Sequence, residues 1–161
     1  MDAQTDFLSS LKSCPLLRDL SAEELDRLQT GSRIREYDEQ NPVICEEGKV
    51  GDGFFVILLG QVRVFKHDEK GREHLLAVLK AGDFFGEMAL LDMEVRSATC
   101  HALEPVKVLW FGRESFEKLR MEGSPIIGKL LFRMMIDLSH RLRLLNERFV
   151  YLRSCYTGGR A

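Results

Sequence analysis

The sequence predicts a mainly β member of the α+β class: an antiparallel β-roll of the double-stranded β-helix or jelly-roll kind. Short helices precede the roll, one helical turn interrupts it and a long helix follows it. Three observations carry the prediction. From Ser32 to Phe111 apolar residues recur with period two and are broken at short intervals by glycine, Asn41-Pro42 and Lys70-Gly71, as in an antiparallel sandwich or roll. On either side of that stretch the apolar period lengthens to that of a helix. Between two of the strands, Gly82–Thr99 (GDFFGEMALLDMEVRSAT) inserts a glycine-flanked turn and an apolar segment too short for an independent helix.

Residues 1–31 form the helical lead-in. DFLSSLKS at 6–13 is a short helix candidate with Phe7, Leu8 and Leu11 on one side, and Pro15 interrupts it. Ser21-Ala22-Glu23-Glu24 is a capping box that opens a second helix, which runs to about Gln29, buries Leu25 and Leu28 and stops at Gly31. The roll occupies 32–112. Its strands are expected at Ser32–Tyr37, Pro42–Glu46, Gly53–Leu59, Gln61–His67, Arg72–Leu79, Ser97–Leu103 and Val106–Phe111, with a short one allowed at Asp83–Phe85. Gly60 joins two apolar runs so tightly that a hairpin-like turn is expected there. Val62 and Val64 alternate with Arg63 and Phe65, which turns one side of that strand inward.

After Phe111 the strand pattern stops, and 113–155 read as helices. Arg113–Met121 is one, broken at Gly123; Ser124-Pro125 then supplies an N-cap and a first-turn proline for a long helix to about Leu152. Along it Leu131, Met135, Leu138, Leu142, Leu145, Phe149 and Leu152 recur at alternating four- and three-residue steps. A seam of that spacing is narrower than a core-facing stripe and suits a partner helix. It predicts a parallel homodimer through 124–152.

The 161 residues are 45% hydrophobic and 30% charged, the balance of one ordinary globular domain spanning 1–161. No run approaches the apolar length of a membrane span. The N-terminus MDAQTDFLSS lacks a signal pattern, so a cytoplasmic protein without membrane attachment is expected. The net charge of −2 hides an asymmetry: residues 1–106 hold 12 Lys and Arg against 20 Asp and Glu, and 107–161 hold 11 against 5. A basic helix of this kind can meet nucleic acid or an acidic partner, but a solvated face beside an acidic roll is the simpler expectation. Cys14, Cys45, Cys100 and Cys155 are widely separated and read as reduced structural thiols. His67, His74, His101 and His140 show no metal-ligand spacing, so no metal and no metal-dependent enzyme is expected.

The chemistry concentrates in 82–99. A helical turn behind a glycine presents unpaired N–H groups and a positive dipole end to an anion. Arg96, nine residues beyond Glu87, can return to that spot with a planar donor fork suited to phosphate. Glu87 is an acceptor able to hold a neighbouring hydroxyl. Together they describe a ribose phosphate; a plain structural ion pair is the alternative.

The run Phe85-Gly86-Glu87-Met88-Ala89-Leu90, five residues, then Arg96-Ser97-Ala98 resembles the phosphate-binding cassette of cyclic-nucleotide-binding domains, of the catabolite activator protein and protein kinase A regulatory-subunit type. The family's usual spacer is about six. Glu47-Gly48, Asp52, Phe55, Gly60, Val62 and Val64 extend the likeness to roughly 20–150. The resemblance implies a cyclic nucleotide as ligand, cAMP or cGMP, with cAMP favoured although Ser97 does not decide. It implies Arg96 and the Gly86–Ala89 amides on the cyclic phosphate, Glu87 on the ribose 2′-OH, and Ser97 on phosphate or base. The purine is placed against Leu76 and Val78, with Leu145 and Asn146 of the long helix facing it. The likeness further implies a non-enzymatic, stand-alone sensor without a DNA-binding domain, acting on an unnamed downstream protein by moving the long helix, hinged at Gly123, or by changing dimer geometry. Two other classes remain: a degenerate roll that dimerises without ligand, and an enzyme such as a phosphodiesterase or cupin-type oxygenase, which would need a metal cluster or activated nucleophile that the sequence does not display.

Overall fold

The computed structural model describes residues 11, 12 and 14–157. Most of the helix expected at 6–13 lies outside them; Leu11 is fully buried. Ser21 caps α1 (Ala22–Thr30): its Oγ accepts from the Glu24 N–H at 3.2 Å, and the Glu24 carboxylate accepts from the Ser21 N–H at 2.7 Å. Then come β1 (Ser32–Tyr37), β2 (Val43–Cys45), β3 (Gly53–Leu59), β4 (Gln61–His67), β5 (Glu73–Lys80), β6 (Phe84–Phe85), α2 (Glu87–Leu91), β7 (Thr99–Ala102) and β8 (Val106–Gly112). The first, third and fourth strands have the expected bounds, and the others shift only at their ends.

The strands form two four-stranded sheets, ordered β1-β8-β3-β6 and β2-β7-β4-β5, with every strand pair antiparallel. This is the jelly-roll order, and it corrects the expected hairpin at Gly60. β3 pairs with β6 and β8, whereas β4 pairs with β5 and β7, so Gly60 is a corner where the chain passes from one sheet to the other. Its φ of +84° and the Pro105 carbonyl, 2.4 Å from where a Cβ would stand, leave room only for glycine.

β3 explains why two short runs joined by a single residue do not pair. Its GFFVI stretch is buried on both faces. Phe54 and Val56 join a core shared with the helices, and Phe55 and Ile57 join a second core between the sheets. A strand in the middle layer needs neighbours from the same sheet on both edges, and β8 and β6 supply them.

α3 (Arg113–Met121) ends in a left-handed Gly123, φ +65°. Gly123 N–H donates to the Arg120 carbonyl at 3.1 Å and Ser124 N–H to the Leu119 carbonyl at 3.0 Å, a Schellman stop. α4 (Pro125–Thr157) begins with the expected proline. The predicted side-chain cap does not form: the Ser124 hydroxyl is buried and has no hydrogen-bond partner among the described residues. Ile126, Ile127, Leu130 and Met134 bury the start of α4 against Leu16, Leu17, Leu20, Leu25 and Leu28. Lys129 to Glu24 at 2.6 Å pins it at the surface. Among the described residues no helix is long and apolar enough to cross a membrane.

Candidate functional site

The strand β6 is two phenylalanines, and strand alternation sends them to opposite sides. Phe85 stacks on Phe55 with centroids 4.9 Å apart in the inter-sheet core, and Phe84 enters the helical core. Gly86 turns the chain into α2 with φ +82°, and a Cβ there would lie 2.5 Å from Arg96 Nη1. Gly51 leaves a similar gap, facing Ala89 and the Arg96 guanidinium. The turn and the close approach both demand glycine, and together they open a slot for one guanidinium.

Arg96 fills that slot, 4% exposed. Its Nη1 donates to the Gly86 carbonyl at 2.9 Å, its Nη2 to Asp52 Oδ1 at 3.0 Å, and its Cζ lies 5.3 Å from the centre of the Phe55 ring. The backbone is fixed as firmly: Arg96 N–H donates to the Lys49 carbonyl at 2.8 Å, and Gly48 N–H donates to the Arg96 carbonyl at 2.9 Å. Two of the five guanidinium N–H groups are thus accounted for, on a side chain that cannot lose its charge. Arg113, unremarked in the sequence, braces the site from below, donating to the Ala89 carbonyl at 2.6 Å and the Gly51 carbonyl at 2.8 Å.

Glu87 is 2% exposed, and its one ion-pair partner among the described residues is Arg141 of α4, at 3.4 Å from Oε1. Burial pushes its carboxyl above the ordinary range, against the opposing charges of Arg141 and, more weakly, Arg96. The plain Glu87–Arg96 ion pair does not form; each has a different partner. Arg141 also donates to the Phe84 carbonyl at 3.0 Å, lies 5.3 Å over the Phe84 ring and pairs with Asp137 at 2.5 Å. Sequence reasoning missed Arg141. The available signal was its register: it continues the helix face of Leu130 and Met134, where a charge needs a buried partner.

Of the expected residues, Phe85, Gly86, Glu87, Ala89, Arg96 and Ala98 converge, with all but Gly86 buried. Met88 and Ser97 stand exposed beside them, the Ser97 hydroxyl 3.8 Å from the Met88 sulfur. Leu76 and Val78 are exposed on the edge strand β5, and Leu145 and Asn146 are exposed on α4. Among the described residues no hydrogen bond or ion pair ties these four to Glu87 or Arg96; the helix reaches the site a turn earlier, through Arg141. No group of three or more His, Cys, Asp or Glu among the described residues is placed to hold a metal.

Residues 35–122 match the family model described as the cyclic nucleotide-binding domain. The chain is 36% identical over 109 residues to the cAMP-dependent protein kinase regulatory subunit of Yarrowia lipolytica, covering 68% of this chain and 28% of that protein. It is 37% identical over 121 residues to a cGMP-dependent protein kinase of Caenorhabditis elegans, covering 74% and 15%. The crystal structure of Thermus thermophilus catabolite activator protein superposes with a TM-score of 0.73 at 31% identity, over 86% of this chain and 63% of that one. The chain thus spans less than a third of either kinase relative's length.

Proposed function

The chain belongs to the cyclic nucleotide-binding domain family, and from that premise we propose that it is a regulatory sensor for a 3′,5′-cyclic nucleotide, cAMP before cGMP. The observation that supports this most is the buried pair of opposite charges that do not neutralise each other. Arg96 keeps donors beyond its bonds to Gly86 and Asp52, and among the described residues Glu87 has no side-chain partner nearer than 3.4 Å. A cyclic phosphate answers the first and a ribose hydroxyl the second. Each ligand bond to a buried charge contributes about 1.5–3 kcal/mol. The Gly86–Ala89 amides and Ser97 complete the phosphate side, and the exposed Leu76 and Val78 offer an apolar face for the purine.

The response runs through α4. A ligand moves an equilibrium only by contacting two states differently. A hydroxyl on Glu87 competes with Arg141 for the same carboxylate, so nucleotide shifts α4 relative to the roll. The seam residues Met135, Leu142, Leu145, Phe149 and Leu152 are exposed, and we assign them to a second copy of the chain in a parallel homodimer. The downstream target is a protein that reads that helix pair.

Calorimetric titration of the protein with cAMP, cGMP and AMP tests the reading. Saturable heat with cAMP, less with cGMP and none with AMP is expected. Silence with both cyclic nucleotides would sink it and leave a roll that dimerises without ligand.

A further inference from the structure

Cys45 and Cys100, far apart in sequence, are Cα partners across the antiparallel pair β2–β7, immediately after a register shift between Val43 and Cys45. Opposed residues in such a pair have Cα atoms about 4.5–5.5 Å apart, within the range a disulfide spans. Both thiols belong to the inter-sheet core, Cys100 buried within it and Cys45 half-buried against it. The other two thiols lie elsewhere: Cys14 sits in the helical core and Cys155 is exposed on α4. The same two strands run directly into the ladder that positions Arg96. Glu47 N–H donates to Thr99 Oγ1 at 3.0 Å, and the Gly48–Arg96 and Arg96–Lys49 bonds follow.

We propose that Cys45 and Cys100 are a peroxide-oxidisable dithiol whose disulfide clamps the β2–β7 ladder from which Arg96 projects. This goes beyond nucleotide binding and does not depend on it. The two sulfurs have different roles. The adjoining Cys100 thiol and the nearby Arg96 charge hold the Cys45 thiol below its ordinary range, whereas the Cys45 thiol and burial push Cys100 up. Cys45, half-buried where Cys100 is buried, is the sulfur that peroxide reaches first, and it is the attacking thiolate. It displaces hydroxide from one oxygen of hydrogen peroxide; the O–O bond breaks, an S–O bond forms, and the hydroxide leaves as water with the proton that Cys45 gave up. The Cys100 sulfur then attacks the Cys45 sulfenic acid. An S–S bond forms as the S–O bond breaks, and the Cys100 proton leaves with the hydroxide as a second water. Two thiols are oxidised and one peroxide is reduced.

The test uses the full chain with Cys155→Ser, which removes the exposed thiol. After peroxide, alkylation in denaturant and mass mapping should show a Cys45–Cys100 crosslinked peptide, lost on adding dithiothreitol, with Cys14 still alkylated. Cys45→Ser in the same background should form no crosslink, and Cys100→Ala should leave a Cys45 sulfenic acid that dimedone traps. Full alkylation of Cys45 and Cys100 after a peroxide dose that oxidises a small-molecule dithiol overturns the proposal. Amide exchange at residues 47–50 and 96–99 should slow about tenfold or more in the crosslinked protein, because strand separation then requires reduction. A crosslink that leaves this exchange unchanged overturns the clamp.

Discussion

Two regions of this molecule depart from the usual partition of side chains, in opposite senses. Around α2 charges are inside: Arg96 is 4% and Glu87 2% exposed. Along the far half of α4 apolar groups are outside: Leu142, Leu145 and Phe149 are 58%, 60% and 59% exposed. A buried charge is costly unless its bonds are completed, and a contiguous exposed apolar face marks a surface meant to be covered. Under the proposed function the first region calls for a polar ligand and the second for an apolar partner. Arg141 touches both, since it stands on α4 where core contact gives way to exposure and reaches Glu87 and the Phe84 carbonyl. A molecule that answers the first call is in this way placed to alter the second.

The contrast is sharpest within α4 itself. Leu130 is fully buried against the α1 region, whereas Leu145, on the same helix, is solvent-exposed. Leu130→Ala should lower unfolding free energy by about 2–5 kcal/mol. Leu145→Ala should leave the denaturation midpoint at low protein concentration unchanged, while Leu145→Glu shifts sedimentation from dimer to monomer. Equal destabilisation by the two alanines would show that the distal face is already packed on its own chain, and the contrast would fall.

Arg96→Ala addresses the charged region. It removes the donor fork that the proposed function assigns to the cyclic phosphate and leaves Asp52 and the Gly86 carbonyl without it. Affinity for cAMP should fall at least about tenfold, measured by calorimetry at matched folded fraction. Unchanged affinity would make Arg96 a structural tie between the Gly86 turn and Asp52.

Glu87→Gln separates the cost of burial from its use. Burial, opposed by Arg141, raises the Glu87 carboxyl in the folded protein. Its contribution to stability is therefore whole below the ordinary carboxylate pKa and is lost as pH rises through the raised value. The glutamine variant does not ionise, so its melting temperature relative to wild type should climb between acidic and neutral pH while its affinity for cAMP drops. A relative melting temperature that falls over that range would mean the Arg141 pair outweighs desolvation.

The sequence announced local features well and distant partnerships poorly. The strand bounds of β1, β3 and β4 follow from alternation and from turn residues within a few positions of each end. Gly86, Glu87 and Arg96 were legible because their chemistry and spacing lie in one short run. Gly60 misled because whether two adjacent strands pair depends on β8 and β6, which compete for β3 from elsewhere in the chain. The Arg141–Glu87 contact and the opposition of Cys45 to Cys100 were hidden for the same reason: each is made by the closing of the roll and the return of α4. Ser124 shows a local signal overridden, its hydroxyl buried instead of capping α4.

Arg141→Gln makes the smallest change and bears most directly on the link between the two regions. Glu87 is buried, Arg141 is partly exposed and their contact is long at 3.4 Å. Without the arginine the buried carboxyl takes up a proton rather than standing as an unpaired charge, so melting should fall modestly rather than collapse. Arg141 is nevertheless the group through which α4 grips the carboxylate and the Phe84 carbonyl. In wild type, cAMP should change amide exchange along 135–152; in the variant, binding should persist while that change is lost. If the helix still responds fully, the coupling travels by another route, through Lys129 and Glu24 or the α3–α4 turn, and the two regions are neighbours without being linked by this arginine.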